Sequence, residues 1–487
     1  MRHLVNSFAN EMVSQLFITG RWRLNGAALL LLIASSLTGC GYNNPYHKPD
    51  VAVANQWTVA DRHMTPTDEK NTPYLAWWRG FNDPTLNQLI DSGLVSNNSL
   101  NMSRGHIEAA EGELKKIHYQ WIPDLDAMVG YSRNPATGFP GMLAVLIPTY
   151  TMNVFKQIQE QKQAKYKLAQ VKAEDDAVKL AVISEISASY FTYQAEVERK
   201  RLLQDLANDL TRLAIIGEKV YKDGLSSNID PQDLYSQVNI IHGEQELIER
   251  NIILSRNAIR YLINQNPGEI KTTMKFIDLN NKHLIPGSLP LTVLENRPDM
   301  QMVENRLRAS NEGIGLAAST LLPTVQLDLI GGKAAGNNRY IFPHKNVYFN
   351  DQLLQFPIFK FSVIGEIAKA RGLNKVSYYN YIDTLQMALR DTTNALTENE
   401  RLTNKFNHTA LAQQHLSKAY QLNHRLYQRG IQNYVETLKS KVVLDRININ
   451  LNQDKLQQLL TIVRLYQELA GGYRAGESVP NAEKKAV

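Results

Sequence analysis

Residues 97–125 read NNSLNMSRGHIEAAEGELKKIHYQWIPDL, and residues 297–325 read RPDMQMVENRLRASNEGIGLAASTLLPTV. Set 200 positions apart with no gap, Leu100 meets Met300, His106 meets Arg306, Ile107 meets Leu307 and Ala109 meets Ala309. Leu114 meets Ile314, Pro123 meets Pro323 and Leu125 meets Val325. Further along, Phe155-Lys156 answers Phe359-Lys360, and Tyr221-Lys222-Asp223-Gly224 answers Tyr427-Gln428-Arg429-Gly430. Solenoid units run to about 20–50 residues, so a period this long marks a duplicated half-molecule. The chain therefore has approximate two-fold internal symmetry.

Working outward from the first copy, Asp83-Pro84 opens a helical pattern to about Trp121, with Leu86, Leu89, Ile90 and Leu94 on one face. Pro123 stops it. Val325, Leu327 and Leu329 alternate with Thr324, Gln326 and Asp328, the period of a strand. The matching residues 124–132 alternate more loosely, and second strands are expected near 143–154 and 347–358. Turn residues separate each pair: Asn134-Pro135-Ala136-Thr137-Gly138 and Gly336-Asn337-Asn338. From Phe155 to Tyr221 no proline falls, and Leu168, Val171, Val178, Val182, Ile186 and Tyr193 recur at helical spacings. At 1.5 Å per residue such a helix is ~100 Å long, which suits a coiled coil or a tube of helices. A return helix follows Gly224 and runs to about Gln265. The second half repeats the order with a long helix over 362–429, a turn at Gly430 and a return helix to Leu469.

The chain has 487 residues, of which 43% are hydrophobic, enough for several ordinary cores. Its formal charge is +6, but Lys and Arg are spread along the chain, so nucleic acid is not an expected partner. Cys40 is the single cysteine, which excludes an intramolecular disulfide. Arg21 and Arg23 precede an apolar run from Leu24 to Leu37, which leads into Leu37-Thr38-Gly39-Cys40. A basic start, an apolar run too short for a ~20-residue span and small residues at the break form an export signal. Met12 is a second possible start for it. The last four residues resemble the lipobox of bacterial lipoproteins, which implies that Cys40 becomes the lipid-bearing first residue. The absence of Asp at position 41, where Gly stands, fits the outer membrane.

These readings divide the chain into five parts. Residues 1–39 are a signal peptide, and 40–83 are an extended, Pro-punctuated, lipid-anchored tether. Residues 84–275 are the first structural repeat, 276–473 the second, and 474–487 a disordered tail. The fold class is mainly α with a small β part. Four strands cannot close a barrel, and open sheet edges are not tolerated in lipid, so at least two chains must combine. Eight strands would make a narrow barrel, whereas twelve from three chains would leave a wide lumen. The physical reading is an oligomeric conduit of short outer-membrane strands continued by long helices, with a lipid anchor at its side.

Three further segments carry a resemblance. They are Trp77-Trp78-Arg79-Gly80-Phe81-Asn82-Asp83-Pro84-Thr85-Leu86, Asn296-Arg297-Pro298-Asp299, and the run from Val463 to Tyr473 that ends Leu469-Ala470-Gly471-Gly472-Tyr473. With the lipobox and the duplication, they resemble the lipoprotein branch of the TolC-type outer membrane efflux proteins over roughly residues 41–473. That resemblance implies a homotrimer with a 12-stranded transmembrane β-barrel and a periplasmic α-barrel of 12 helices. It also implies a periplasmic adaptor (membrane fusion) protein and an inner-membrane RND-type transporter as partners. The function it implies is passive conduction of drugs or other small toxic compounds out of the cell.

The resemblance places the periplasmic aperture at the turn after the second long helix, ringed by acidic residues one helical turn apart. Glu436 and Lys439 fall on the two acidic positions, so this chain departs from the pattern at the second. By the internal repeat, Asp230 and Asp233 are equivalent in the first half and can supply the missing negative charge. Ile431 and Val435 are expected to form an apolar pinch beside them. The plainer reading of Glu436 and Lys439 is a solvated pair. No enzyme, cofactor or metal site is expected. His408 and His415 are seven apart without further donors, Met300 and Met302 read as packing residues, and Gly331-Gly332-Lys333 reads as a turn. Nor does any triad or nucleophile-elbow spacing appear. Two rival readings remain open at this level: a type I protein secretion conduit, and a structural coiled-coil envelope lipoprotein that transports nothing.

Overall fold

A computed structural model describes residues 45–49, 69–132, 141–224, 229–279, 295–334, 345–357 and 360–477. The leader, Cys40, the turn signals at 134–138 and 336–338, and the tail beyond residue 477 lie outside the described residues. Tyr46–Val487 form one compact unit, which holds every element discussed below.

The first half runs α1 (Pro84–Ser96), α2 (Asn98–Tyr119), β1 (Asp124–Ser132), β2 (Gly141–Met152), α3 (Val154–Lys222) and α4 (Ile229–Leu262). The second half runs α5 (Pro298–Ser319), β3 (Thr324–Ala334), β4 (Lys345–Gln355), α6 (Ser362–Gln428) and α7 (Tyr434–Glu468). The long helices α3 and α6 have 69 and 67 residues.

The structure corrects three expectations. The helix expected from Asp83 to Trp121 is broken at Asn97, whose backbone is extended and whose side chain caps α2 by accepting from Ser99 N and Leu100 N. An Asn offers the helix start an acceptor that an unbroken helix could not use. The segment 40–83, expected to be extended, contains 3₁₀ turns at Glu69–Tyr74 and Trp77–Phe81, because Trp77, Trp78 and Phe81 bury themselves in the main core. Gly331-Gly332-Lys333 is not a turn but part of β3, paired with β2 on one side and β4 on the other.

The four strands form one antiparallel sheet in the order β1-β2-β3-β4, so β1 and β4 are its edges. The helices make two tiers that share α3 and α6. In the tier next to the sheet, α3 packs against α2 and α5, and α5 packs against α6. In the far tier, α3 packs against α4 and α7, and α7 packs against α6. Helix α3 therefore lies inside both tiers, while α6 lies at the margin of both. The burial pattern follows. Residues of α3 from Val182 to Leu213 join the main core, whereas α6 leaves Ile364, Leu373, Val376 and Tyr379 exposed.

Candidate functional site

The far ends of the two helical hairpins carry the residues singled out by position. At both ends the long helix stops on a glycine of positive φ, +73° at Gly224 and +72° at Gly430. A side chain is strained in that left-handed region, so the repeat keeps glycine at both turns. Helix α7 restarts at Asn433, whose Oδ1 accepts from Glu436 N at 3.0 Å. Glu436 lies in the first helical turn, where the helix dipole favours a carboxylate. Lys439 Nζ lies 3.0 Å from Glu436 Oε1, and both side chains are exposed. Such an i, i+3 pair contributes only ~0.2–0.5 kcal/mol, but it neutralises the glutamate. On the first hairpin Asp230 and Asp233 are exposed in the first turns of α4, and Asp233 Oδ2 accepts from Gln237 Nε2 at 2.8 Å. Val435 packs against the main core, whereas Ile431 stands exposed, so the pinch expected of these two is not a single patch within one chain.

At the other end of the return helices, the three segments that carried the resemblance meet. The Trp77 ring stacks on Tyr466 at 5.0 Å with an interplanar angle of 4°. Asp83 caps α1 by accepting from Thr85 N, and its Oδ2 accepts from the buried Tyr190 hydroxyl at 2.6 Å. Gly472 N donates to Thr72 O, and a Cβ there would meet Trp78 at 2.7 Å and Leu75 O at 3.0 Å. The Tyr473 hydroxyl donates to Asn296 O at 2.8 Å. Arg297 makes a two-toothed pair with Asp299, and its Nη1 donates to both the carboxylate and the backbone carbonyl of Glu468 at 2.7 Å. Burial works against the Arg297 charge, but the bonds from Asp299 and Glu468 outweigh it and raise its pKa.

Asn97, the repeat partner of Arg297, performs the same task. Its Nδ2 donates to Leu262 O at 2.8 Å. Leu262 ends α4 as Glu468 ends α7, so each half ties the start of one helix to the last carbonyl of its return helix. Neither joint is expected from the sequence, although Arg297 stands in one of the three segments that carry the resemblance. The polar run Ser96-Asn97-Asn98-Ser99 was the available signal for the first, and the charge pattern of Arg297-Pro298-Asp299 for the second.

The strand register sorts the sheet into two faces. One carries Leu125, Val129 and Tyr131 of β1 beside Pro148, Ala144 and Met142 of β2. The other carries an unbroken row across all four strands, Asp124–Thr149–Asp328–Asp351. Asp124 and Thr149 also line a cavity of about 850 Å³ beneath the sheet, together with Lys116, Lys156, Glu160 and Lys360. The polar row thus continues into the space beside the helices, while farther along the same face Leu143, Val145, Ile147, Ile330 and Val347 form an apolar cluster. The repeat pair Lys156 and Lys360 is brought together here.

Among the described residues no group of three His, Cys, Asp or Glu side chains is arranged to hold a metal, and no helix is long and apolar enough to cross a membrane. His408 and His415 lie on α6, and Met300 is a core residue beside Leu307 and Tyr381.

The family model of the outer membrane efflux proteins matches residues 289–471. A probable efflux pump outer membrane protein of Pseudomonas putida, TtgC, is 23% identical over 465 residues, covering 91% of this chain and 95% of that protein. The outer membrane protein OprJ of Pseudomonas aeruginosa is 25% identical over 479 residues, covering 92% and 96%. Among solved structures, the open state of the Neisseria gonorrhoeae outer membrane channel MtrE superposes with a TM-score of 0.76 at 19% identity, over 89% of this chain and 99% of that one.

Proposed function

We propose that this chain is a TolC-type outer membrane efflux protein and that three copies of it close into one passive conduit. The conduit receives small toxic compounds from a periplasmic adaptor and an inner-membrane RND-type transporter and releases them outside the cell. The observation that carries the reading is that sheet and helices end on unpartnered margins together. Among the described residues, strands β1 and β4 are unpaired edges and α6 bounds both helical tiers. Unpaired strand edges in lipid cost several kcal/mol for each unsatisfied group. Three chains supply twelve strands, enough for an open lumen.

Two further features support this. On α4, Ile240, Leu247, Leu254 and Tyr261 recur every seven residues and are 61%, 55%, 58% and 71% exposed. A heptad stripe of this kind needs a partner helix, and in the trimer that partner belongs to the next copy. The end of the sheet nearest the helices suits a barrel wall, with Leu125 and Val129 toward lipid and the row from Asp124 to Asp351 toward water, and the apolar cluster of Leu143, Val145 and Val347 packs the same inner side farther along. Cys40 carries the lipid that holds the N-terminus in the same membrane. The turns bearing Glu436 and Lys439, and Asp230 and Asp233, stand at the periplasmic mouth as its gate, with Ile431 and Val435 beside them.

The test joins assembly to conduction. Detergent-extracted protein is expected to run as a trimer and to form ion-conducting channels in planar bilayers. Leu247→Lys with Leu254→Lys is expected to leave monomers without channels. A wild-type protein that stays monomeric and silent sinks the reading. In cells, deletion of the gene is expected to sensitise the strain to drugs or other toxic small molecules.

A further inference from the structure

One group of largely buried charges takes no part in the conduit's wall or mouth. Asp209 of α3 and Lys441 and Asp445 of α7 sit together in the seam where the first half meets the second. On one side they are packed by Leu206, Leu210 and Leu213 of α3 and Leu438 and Val442 of α7. Lys441 Nζ pairs with Asp445 Oδ1 and lies 3.7 Å from Asp209 Oδ2. Asp209 Oδ1 accepts from Arg212 Nη1 at 3.2 Å. The second oxygen of Asp445, Oδ2, is buried and has no hydrogen-bond partner, although the Asp209 carboxylate stands beside it.

A cavity of about 350 Å³ at the seam is lined by Asp205, Asp209 and Arg212 of α3, by Tyr420 and His424 of α6, and by Tyr434 and Lys441 of α7. Asp205 is paired with Arg201 at 2.7 Å. Arg446, next in sequence to Asp445, turns instead to Gln237 of α4 at 2.8 Å. Lys441 thus serves two carboxylates inside the seam. Burial pushes the Asp445 carboxyl up to about 6, Lys441 opposes that shift, and Asp209 adds to it.

We propose that Asp209, Lys441 and Asp445 form a proton-operated catch that holds α7 against α3 and so biases the turn bearing Glu436 toward its closed position. A proton on Asp445 Oδ2 is donated to the adjacent Asp209 carboxylate, which satisfies the orphaned oxygen and removes one negative charge from the seam. Loss of that proton to water in the cavity restores the Asp445 carboxylate beside that of Asp209, with the half-buried Lys441 ammonium between them and Arg212 on the other oxygen of Asp209. The α7 helix packs on α3 and α6, so any widening at its first turn requires the α3 seam to yield. The sign follows from the direction of the shift. An acid whose folded pKa is raised stabilises the packed form at low pH, and that contribution is lost as pH rises through the folded value. The catch is therefore tight at pH 5 and loosened at pH 7. The inference rests on the conduit reading, with the α6–α7 turn at its mouth.

Single-channel recording of the wild-type trimer in planar bilayers tests it. The closed-to-open ratio is expected to fall at least about tenfold between pH 5 and pH 7, the response of one proton in one protomer, and more if the three catches release together. Asp445→Asn cannot lose a proton and is expected to keep the pH 5 behaviour at both values. His424→Gln is expected to keep the wild-type response. A flat wild-type profile, an unaltered response in Asp445→Asn, or a response abolished by His424→Gln overturns the catch. If Asp445→Asn does not fold, the thermal midpoint of the wild-type protein is read instead. It is expected to fall from pH 5 to pH 7, and a level midpoint overturns the proposal. Failure of the conduit reading looks different: no channels form at any pH.

Discussion

Asn97 and Arg297 occupy the same position in the two halves and bond the same atom type, the last carbonyl of a return helix. Asn97 does so with a neutral amide that also caps its own helix. Arg297 does so with a guanidinium that also binds Asp299 and the Glu468 side chain, while no side chain caps α5. The duplication has preserved a joint and changed its chemistry. The reason lies in the surroundings. The end of α4 is met at the α1–α2 joint by Ser96 and Asn97, whereas the end of α7 meets Trp77 and, through Tyr473, the residue before Arg297. A charged, multi-dentate residue suits the place where three segments converge.

The two halves differ most in their long helices, and the largest effect is expected there. Phe191 of α3 is fully buried, with its ring 4.9 Å from that of Phe81. Phe191→Ala is expected to cost about 3–5 kcal/mol of folding stability. Leu373 of α6 is 56% exposed, so Leu373→Ala is expected to cost one chain less than ~0.5 kcal/mol while weakening trimer assembly. Denaturant unfolding in detergent measures the first quantity, and native mass or cross-linking the second. Similar losses of chain stability at both sites would mean that α6 is not a margin.

The joints give the next largest effect. Removing one partner of a buried ion pair costs about 3–5 kcal/mol, and the partial exposure of Asp299 lowers this to about 2–3 kcal/mol for Arg297→Ala. Arg297→Lys is expected to recover little, since one ammonium cannot reach Asp299 and both acceptors on Glu468 together. Asn97→Ala removes a cap and one further bond and is expected to cost about 1–2 kcal/mol. Thermal midpoints of the three variants rank them. Equal losses at 97 and 297 would show that the extra ionic partners contribute nothing.

Much of the architecture was legible in the sequence because it is periodic. The 200-residue offset, the alternation at 324–329 and the uninterrupted apolar recurrence from Leu168 to Val220 are local signals, and the strands and long helices follow them. The break at Asn97 was hidden because apolar spacing continues on both sides of it. The position of α3 inside both tiers and α6 at their margin was not legible, since both helices carry similar patterns and only their neighbours differ. The Asp209–Lys441–Asp445 cluster joins residues more than 200 positions apart across the duplication, where no spacing rule reaches. Lys441 and Asp445 taken alone look like an ordinary i, i+4 surface pair.

The two tips differ in charge, and here the expected effect is smallest. The first tip presents Asp230 and Asp233 without a lysine at the equivalent position, and the second presents Glu436 already paired with Lys439. If the tips ring one aperture, the first supplies most of its negative potential and the second contributes little. Lys439→Ala frees Glu436 and is expected to raise cation preference about twofold or less, the scale set by a pair of ~0.2–0.5 kcal/mol. Glu436→Gln leaves Lys439 unbalanced and is expected to lower cation preference by a similar factor, with no measurable loss of stability. Asp230→Asn with Asp233→Asn is expected to lower it further than Glu436→Gln does. Reversal potentials in a salt gradient across a planar bilayer read all three variants. Unchanged selectivity in every one would place the ion barrier elsewhere in the conduit, with the carboxylate row from Asp124 to Asp351 on the sheet as the next region to neutralise.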